Sequence, residues 1–209
     1  MLKRFTLSLA ALAFATLALA QTPASPPVRL RGTIEKLDVS SITIKERSGE
    51  VITLVRPADL PVSEVYAVTL ADIKPGSYVG TAAMPQADGT QLAIEVLVFP
   101  EAARGSNEGH YPWDLQPQST MTNATVADLS AAPATVPGGQ KLTLKYKTGE
   151  KTVIVPTGVP VVSFKPASAD DQKTLLVPGA KVLINALEKE GKPTALRVLV
   201  GRNGFAPPM

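Results

Sequence analysis

The chain says nearly the same thing twice. Ile42-Thr43-Ile44-Lys45 is matched by Leu142-Thr143-Leu144-Lys145, and Ser48-Gly49-Glu50 by Thr148-Gly149-Glu150, both at a separation of 100 positions. Further on, Ile73-Lys74-Pro75-Gly76 is echoed by Leu176-Val177-Pro178-Gly179 at 103, and Ala93 to Val98 (AIEVLV) by Ala195 to Val200 (ALRVLV) at 102. Thr33-Ile34 and Leu37 align with Thr125-Val126 and Leu129 at 92, so the first hairpin of the second copy carries a longer loop, Ser130 to Gly139. The shared positions are turn glycines, prolines and alternate apolar residues, which are the types a repeated β unit needs at its corners and on its buried face. Four matched blocks in one order predict an internal duplication.

Within a copy the pattern is short alternating runs closed by turn residues, the signature of strands. In the first half, strands are expected at Arg31 to Leu37, Ser41 to Glu46, Val51 to Val55, Val65 to Thr69, Tyr78 to Met84 and Leu92 to Phe99. Turns fall at Ser48-Gly49, Lys74-Pro75-Gly76 and Ala87-Asp88-Gly89. With 44% hydrophobic but only 5% aromatic residues, the cores must be built from Val, Ile, Leu and Ala, which suits small barrels better than one large nucleus. The expected fold class is therefore all-β: two tandem small OB-like barrels related by internal duplication and joined by an irregular linker. Paired small sandwiches are the competing architecture. The expected division is a first barrel over 28–100, a linker over 101–121, a second barrel over 122–201 and a tail over 202–209. In the second copy the long connection Phe164 to Thr174 contains Ser168-Ala169-Asp170-Asp171, placed to open a single helical turn.

Residues 1–20 read as a secretory signal peptide: Lys3 and Arg4 form the basic start, Phe5 to Leu17 the apolar stretch, and Ala18-Leu19-Ala20 the small-x-small cleavage site. A mature chain starting at Gln21, with residues 21–27 as a flexible leader, is expected in the periplasm, with no other segment long and apolar enough for a helical membrane span. Loss of Lys3 and Arg4 takes the formal charge from +3 to +1, so there is no basic excess for phosphates and nucleic acid is not an expected partner. The chain has no cysteine, which excludes a disulfide framework, thiolate metal sites, covalent c-type haem and thiol catalysis.

The candidate functional residues lie in the strip Glu101 to Thr125, which holds the one histidine, His110, and the one tryptophan, Trp113. Arg104, Glu108, His110, Trp113 and Asp114 are singled out for ligand or partner binding. Trp113 is expected as a plug between the barrels, with its indole N–H bonded to a backbone carbonyl, and alternatively as a stacking platform. His110 with Glu108, Glu101 or Asp114 is a valid donor set for Zn²⁺, Cu²⁺ or Ni²⁺, although one histidine is fewer than a catalytic zinc site usually has. Arg104 to Gly109 reads as a turn-rich linker or an anion-binding nest, and it matches no P-loop or dinucleotide fingerprint, so no cofactor is expected. Ser106, His110 and Asp114 share one short loop, where the geometry that activates a serine is hard to build, and no carboxylate pair is marked for glycosidase work. Asn123-Ala124-Thr125 fits the glycosylation pattern at an expected strand start. The expectation is a non-enzymatic binding or scaffolding protein for an envelope protein or small ligand. The alternative is a periplasmic metal-binding accessory protein using His110.

The run FPEAARGSNEGHYPWDLQPQSTMTNATV, followed by KLTLKYKTGEKTVIVP and a final PPM, resembles a family of exported proteobacterial proteins built from domain-of-unknown-function repeats, often labelled automatically as metal ABC transporter permeases. The resemblance covers nearly all of the expected mature chain and is most specific over Arg104 to Asn123. It implies a periplasmic protein of tandem OB-like or related β-barrels. A permease would need membrane-crossing segments, and the only apolar one here is the expected signal.

Overall fold

The computed structural model describes residues 26–208. The expected signal peptide, and all of the expected leader but Pro26 and Pro27, lie outside the described residues. The strands are β1 (Val28–Leu37), β2 (Ser41–Glu46), β3 (Val51–Val55), β4 (Val62–Ala67), β5 (Tyr78–Pro85), β6 (Gln91–Val98), β7 (Gly109–Pro112), β8 (Thr120–Ala131), β9 (Gln140–Tyr146), β10 (Gly149–Val155), β11 (Val161–Pro166), β12 (Lys181–Lys189) and β13 (Lys192–Gly201). One short helix, α1 (Ala169–Leu175), precedes β12. The chain is mostly β, and it turns where the glycines predict: Gly49, Gly76 and Gly89 all adopt positive φ.

Pairing closes the strands into rings. Strands β3, β2, β1, β12 and β13 lie side by side in that order, and a parallel bridge between Thr194 of β13 and Val55 of β3 completes a five-stranded barrel. A second ring runs β10, β9, β8, β5, β6 and is completed by parallel pairing of Val153 and Ile154 with Gln91 and Leu92. Each ring thus takes three strands from one half of the sequence and two from the other. The expected barrels over 28–100 and 122–201 are corrected accordingly: β5 and β6 leave the first half to complete the ring of the second, and β12 and β13 do the reverse.

The cause is local. Residues 56–61 carry prolines at both ends of a short connection, and the carbonyl of Pro61 accepts from Val198 N at 2.9 Å, which delivers β4 beside β13 in parallel. In the other half Pro160 accepts from Val96 N at 2.9 Å, and β11 runs beside β6. β4 and β11 then pair with each other, antiparallel, from Val162↔Ala67 to Pro166↔Ser63. By the time the chain turns at Gly76 it has crossed to the far side. Corresponding hydrogen bonds recur, with Gly76 N donating to Val126 O and Gly179 N to Ile34 O, each at 2.8 Å.

Other boundaries also differ from expectation. β4 starts at Val62 and stops at Ala67 because Thr69 begins a 3-10 turn, Leu70–Asp72, whose Asp72 carboxylate accepts from Thr69 N and Oγ1. The strip over 101–121 is not wholly irregular, since β7 pairs with β8 from Gly109↔Asn123 to Pro112↔Thr120. Ser168 does open a helix: its Oγ accepts from Asp171 N, while the Asp171 carboxylate accepts from Ser168 N and Oγ.

Each ring has its own apolar filling. In the first, Ile34, Ile42, Ile44 and Leu54 meet Val182, Ile184 and Val198, and α1 caps them with Leu175. In the second, Val79, Ala93 and Val96 meet Leu142, Leu144 and Val153. A third cluster lies between the rings, with Val65, Val162 and Phe164 from β4 and β11 and Leu97, Leu183 and Leu199 from the outer faces of β6, β12 and β13. Burying each such Val, Leu or Ile contributes roughly 1.5–3 kcal/mol, and all three clusters draw residues from both halves of the sequence.

Separate expression of residues 26–100 and 101–208 provides the test of this interleaving. Each fragment alone is expected to lack a cooperative thermal transition by circular dichroism, and mixing them to restore one. A fragment that melts cooperatively by itself would show that its ring closes without the other half.

Candidate functional site

Strand geometry decides which side chains enter the space between the rings. In β6 the register against β5 shifts between Ala82 and Ala83, leaving Ile94 as an extra residue. Ala93 and Val96 face the interior of their ring, while Glu95 and Leu97 turn to the opposite face. The same shift occurs in β13, whose register against β12 changes between Asn185 and Ala186 and leaves Leu196 as an extra residue, and there Arg197 and Leu199 turn outwards. A charged residue therefore stands at one place in each matched apolar block, Glu95 in AIEVLV and Arg197 in ALRVLV.

Between these faces is a cavity of about 120 Å³. Leu97, Phe99, Phe164, Leu183 and Leu199 form its apolar wall, with Phe99 and Phe164 edge to face at 6.0 Å. Trp113, Tyr111, Asn123, Asn185, Arg29 and Arg197 line the rest. It adjoins an open outer groove of about 480 Å³ that shares Arg29, Tyr111, Trp113 and Asn185 and adds Pro27 and Glu108. Half of the ten aromatic residues are gathered here, since Tyr78 packs on Phe99 at 5.1 Å and Tyr111 on Trp113 at 6.1 Å.

The polar wall is held by ion pairs and short hydrogen bonds. The Arg29 guanidinium lies 3.8 Å from the centroid of the Trp113 ring, and Asp114 accepts from Arg29 at 3.3 Å and from the buried Arg31 at 2.9 Å. Burial pushes the Asp114 carboxyl up, but the hydrogen bond and charge of Arg31, with Arg29 behind them, outweigh it and leave the pKa below the ordinary value. Asn123 Nδ2 donates to Tyr111 Oη at 2.9 Å and to Ser106 O at 3.3 Å, and Tyr78 Oη donates to that same carbonyl at 3.1 Å. Gly80 is required under Asn123: a Cβ there would lie 2.5 Å from Asn123 Oδ1 and 3.2 Å from Phe99 Cε2.

Three buried polar atoms on this wall have no hydrogen-bond partner: Trp113 Nε1, Asn123 Oδ1 and Asn185 Oδ1. The expected bond from the Trp113 indole to a backbone carbonyl is thus corrected. Just past the end of β7 Trp113 is held by its own backbone, with Trp113 N donating to Ser119 O at 2.8 Å, and its indole N–H is buried without an acceptor. A larger depression of about 370 Å³ between Thr174 and Gly204 has no such atom among its lining residues.

The other expected residues scatter. Arg104 is taken up by Glu101, at 2.6 and 2.8 Å, and by Gly76 O at 3.0 Å, so it is neither in the cavity nor free for an anion. Glu108 reaches the outer groove while accepting from Lys147 N at 2.9 Å. His110 Nδ1 is 2.9 Å from Thr122 Oγ1, and burial, then the charge of Lys151, lower its pKa. Among the described residues no three His, Asp or Glu side chains converge as a metal site would need. Ser106 Oγ donates to Ala103 O rather than to His110, and Asn123 is buried within β8, where a glycan has no room. The strip supplies Trp113, Asp114 and Glu108 to the site. Arg29, Asn185 and Arg197 come from strands whose alternation pattern does not connect them to it.

Glu95 sits behind this wall. It pairs across the sheet with Ala82, which pairs in turn with Met121 of the cavity lining, and both of its oxygens are buried without a hydrogen-bond partner. Burial pushes its carboxyl up to about 8, opposed in part by the charge of Arg31.

The chain matches no family model, no curated protein and no solved structure.

Because the native pKa of Glu95 lies above its unfolded value, the folded state holds this proton more tightly. Its penalty is absent below the unfolded carboxyl pKa, grows as pH rises and levels off above the native pKa of about 8. Glu95→Gln is expected to match the wild type in denaturant stability near pH 4 and to exceed it by a few kcal/mol near pH 8, since each tenfold difference in proton affinity between the folded and unfolded chain is worth roughly 1.4 kcal/mol. Parallel stability curves for the two proteins across that range would contradict this.

Proposed function

We propose that this protein is a non-enzymatic binding module of the periplasm that holds a small ligand in the cavity between its two rings. Its halves descend from one duplicated OB-like unit whose last two strands have been exchanged. The observation that carries the binding reading is one cavity between the rings with Leu97, Phe99, Phe164 and Leu199 on one side and Trp113, Asn123, Asn185, Arg29 and Arg197 on the other. An apolar cavity edged by a few polar and charged side chains is the usual form of a small-molecule site. The OB-like ancestry is supported by the strand order of the rings, β1-β2-β3-β13-β12 and β8-β9-β10-β6-β5, in which the fifth strand of each unit lies between its third and fourth. The periplasmic setting rests on the residues of the expected signal peptide.

A thermal-shift screen of small metabolites against the wild type and Leu199→Phe tests the reading. The cavity gives the larger ring room to enter, so the variant is expected to fold and to lose the stabilisation that hits confer on the wild type. Hits that stabilise both proteins equally, or an absence of hits, would remove the cavity as the site.

A further inference from the structure

We infer that the ligand of this cavity is a short-chain aliphatic carboxylate of about five carbons, with its chain in the inner cavity and its head group at the throat shared with the outer groove. The inference rests on the binding reading above and adds the chemical class. Size comes first: a cavity of roughly 150 Å³ holds benzene, so about 120 Å³ is too small for a six-membered ring and holds about five carbons at the same density. An open chain bends to fill such a space where a ring cannot. The walls suit it, since Leu97, Leu183, Leu199, Met121, Phe99 and Phe164 present only carbon and one thioether.

Register supplies the head-group site. Asn185 of β12 pairs with Arg29 of β1 on one side and with Arg197 of β13 on the other, so two arginines flank it as direct cross-strand neighbours on a single face. All three line the cavity, Arg29 and Asn185 line the groove as well, and among the described residues no carboxylate lines the cavity. Arg197 lies over Phe164 at 4.9 Å, and its Nη2 donates to a neutral group, Ser63 Oγ at 3.3 Å. Among the described residues it forms no ion pair, unlike Arg29, Arg31, Arg104 and Arg202. Its Nε and Nη1 make no hydrogen bond and, unlike Trp113 Nε1, are not sealed away, so a molecule in the cavity can reach them. Arg29 keeps Nε and Nη2 open in the same way while its Nη1 donates to Asp114. Burial lowers the pKa of Arg197, which marks a charge that the fold leaves unbalanced.

Two guanidiniums with no acid beside them on the cavity lining are completed by an anion, and the guanidinium fork takes a carboxylate through both oxygens. A zwitterion such as an amino acid would bring an ammonium up to the same two cations. Glu108, on the outer groove, disfavours a second negative charge on the ligand. A single carboxylate on a short apolar chain meets all of these conditions.

Because Trp113 is the sole tryptophan and lines the cavity, its fluorescence reports occupancy, with calorimetry as the second readout. The protein is titrated with acetate, pentanoate, octanoate, pentanol and leucine at neutral pH. Pentanoate is expected to bind about tenfold or more tighter than pentanol and leucine, the worth of one charge-assisted hydrogen bond. It is expected to bind tighter than acetate by about fourfold for each further buried methylene, and octanoate to gain nothing more because the cavity is already full. Arg197→Gln is expected to remove the preference over pentanol, and the wild-type series decides the matter even if that variant does not fold. Pentanol or leucine binding as tightly as pentanoate, with Trp113 responding, would overturn the ligand class and leave the cavity site standing. Affinity that keeps climbing to octanoate would put the chain outside the cavity and overturn the inference as well. Silence of Trp113 and of calorimetry to all five would overturn both the class and the site.

Discussion

The antiparallel pairing of β4 with β11 is the constraint on which the rest of the molecule depends. Each of these strands is also the parallel neighbour of a ring strand, β13 for β4 and β6 for β11, so five consecutive hydrogen-bonded pairs at the seam join two barrels into one continuous sheet. Parallel neighbours cannot be joined by a tight turn, and the chain therefore has to leave its own ring to place them. The exchange of β5–β6 for β12–β13 follows from that. Closing the rings also removes the exposed strand edges that two half-barrels would present.

The space between the rings exists because of the same arrangement. Strands that form ring walls have two faces, and the register shifts at Ile94 of β6 and Leu196 of β13 switch which residues face inwards. Leu97, Leu183, Leu199 and Phe164 then form an apolar layer outside both barrels, and β7, laid on β8, roofs it with Tyr111 and Trp113. Roof and floor come from five strands and both halves. Preorganisation of this kind lets a site keep buried polar atoms unpartnered, since no single side chain can relax towards another without moving a strand.

Much of this could be read from the sequence, and the limits have physical causes. The turns were legible because glycine at Gly49, Gly76 and Gly89 is the residue that positive φ requires, and the cap of α1 because Ser168 and Asp171 stand three apart. Strand partners were not legible: alternation fixes which face of β5 is buried but carries no information about whether β4, β6 or β8 lies beside it. Within the site, Trp113 stood out by its rarity, and Asp114 by its neighbourhood. Arg29, Asn185 and Arg197 look like ordinary strand residues until pairing brings them together. The one available signal was the pair Glu95 and Arg197, a charge at the same place in two matched apolar blocks, where alternation alone would have hidden the bulge that turns each of them outwards.

The exchanged strands also impose an order on how the molecule comes into being. Strands β1 to β3, made first, have no ring to close until residues 181–201 exist, because Val28 to Thr33 take their partners from β12 and Val55 its partner from β13. A chain delivered from its N-terminus must therefore hold these three strands as an open, curled sheet while some 120 further residues emerge, and contacts this distant in sequence form slowly. Completion of the N-terminal barrel is in effect a proofreading of the whole polypeptide: a copy truncated before β12 is left with unpaired β-edges, the feature by which chaperones and proteases distinguish unfinished chains.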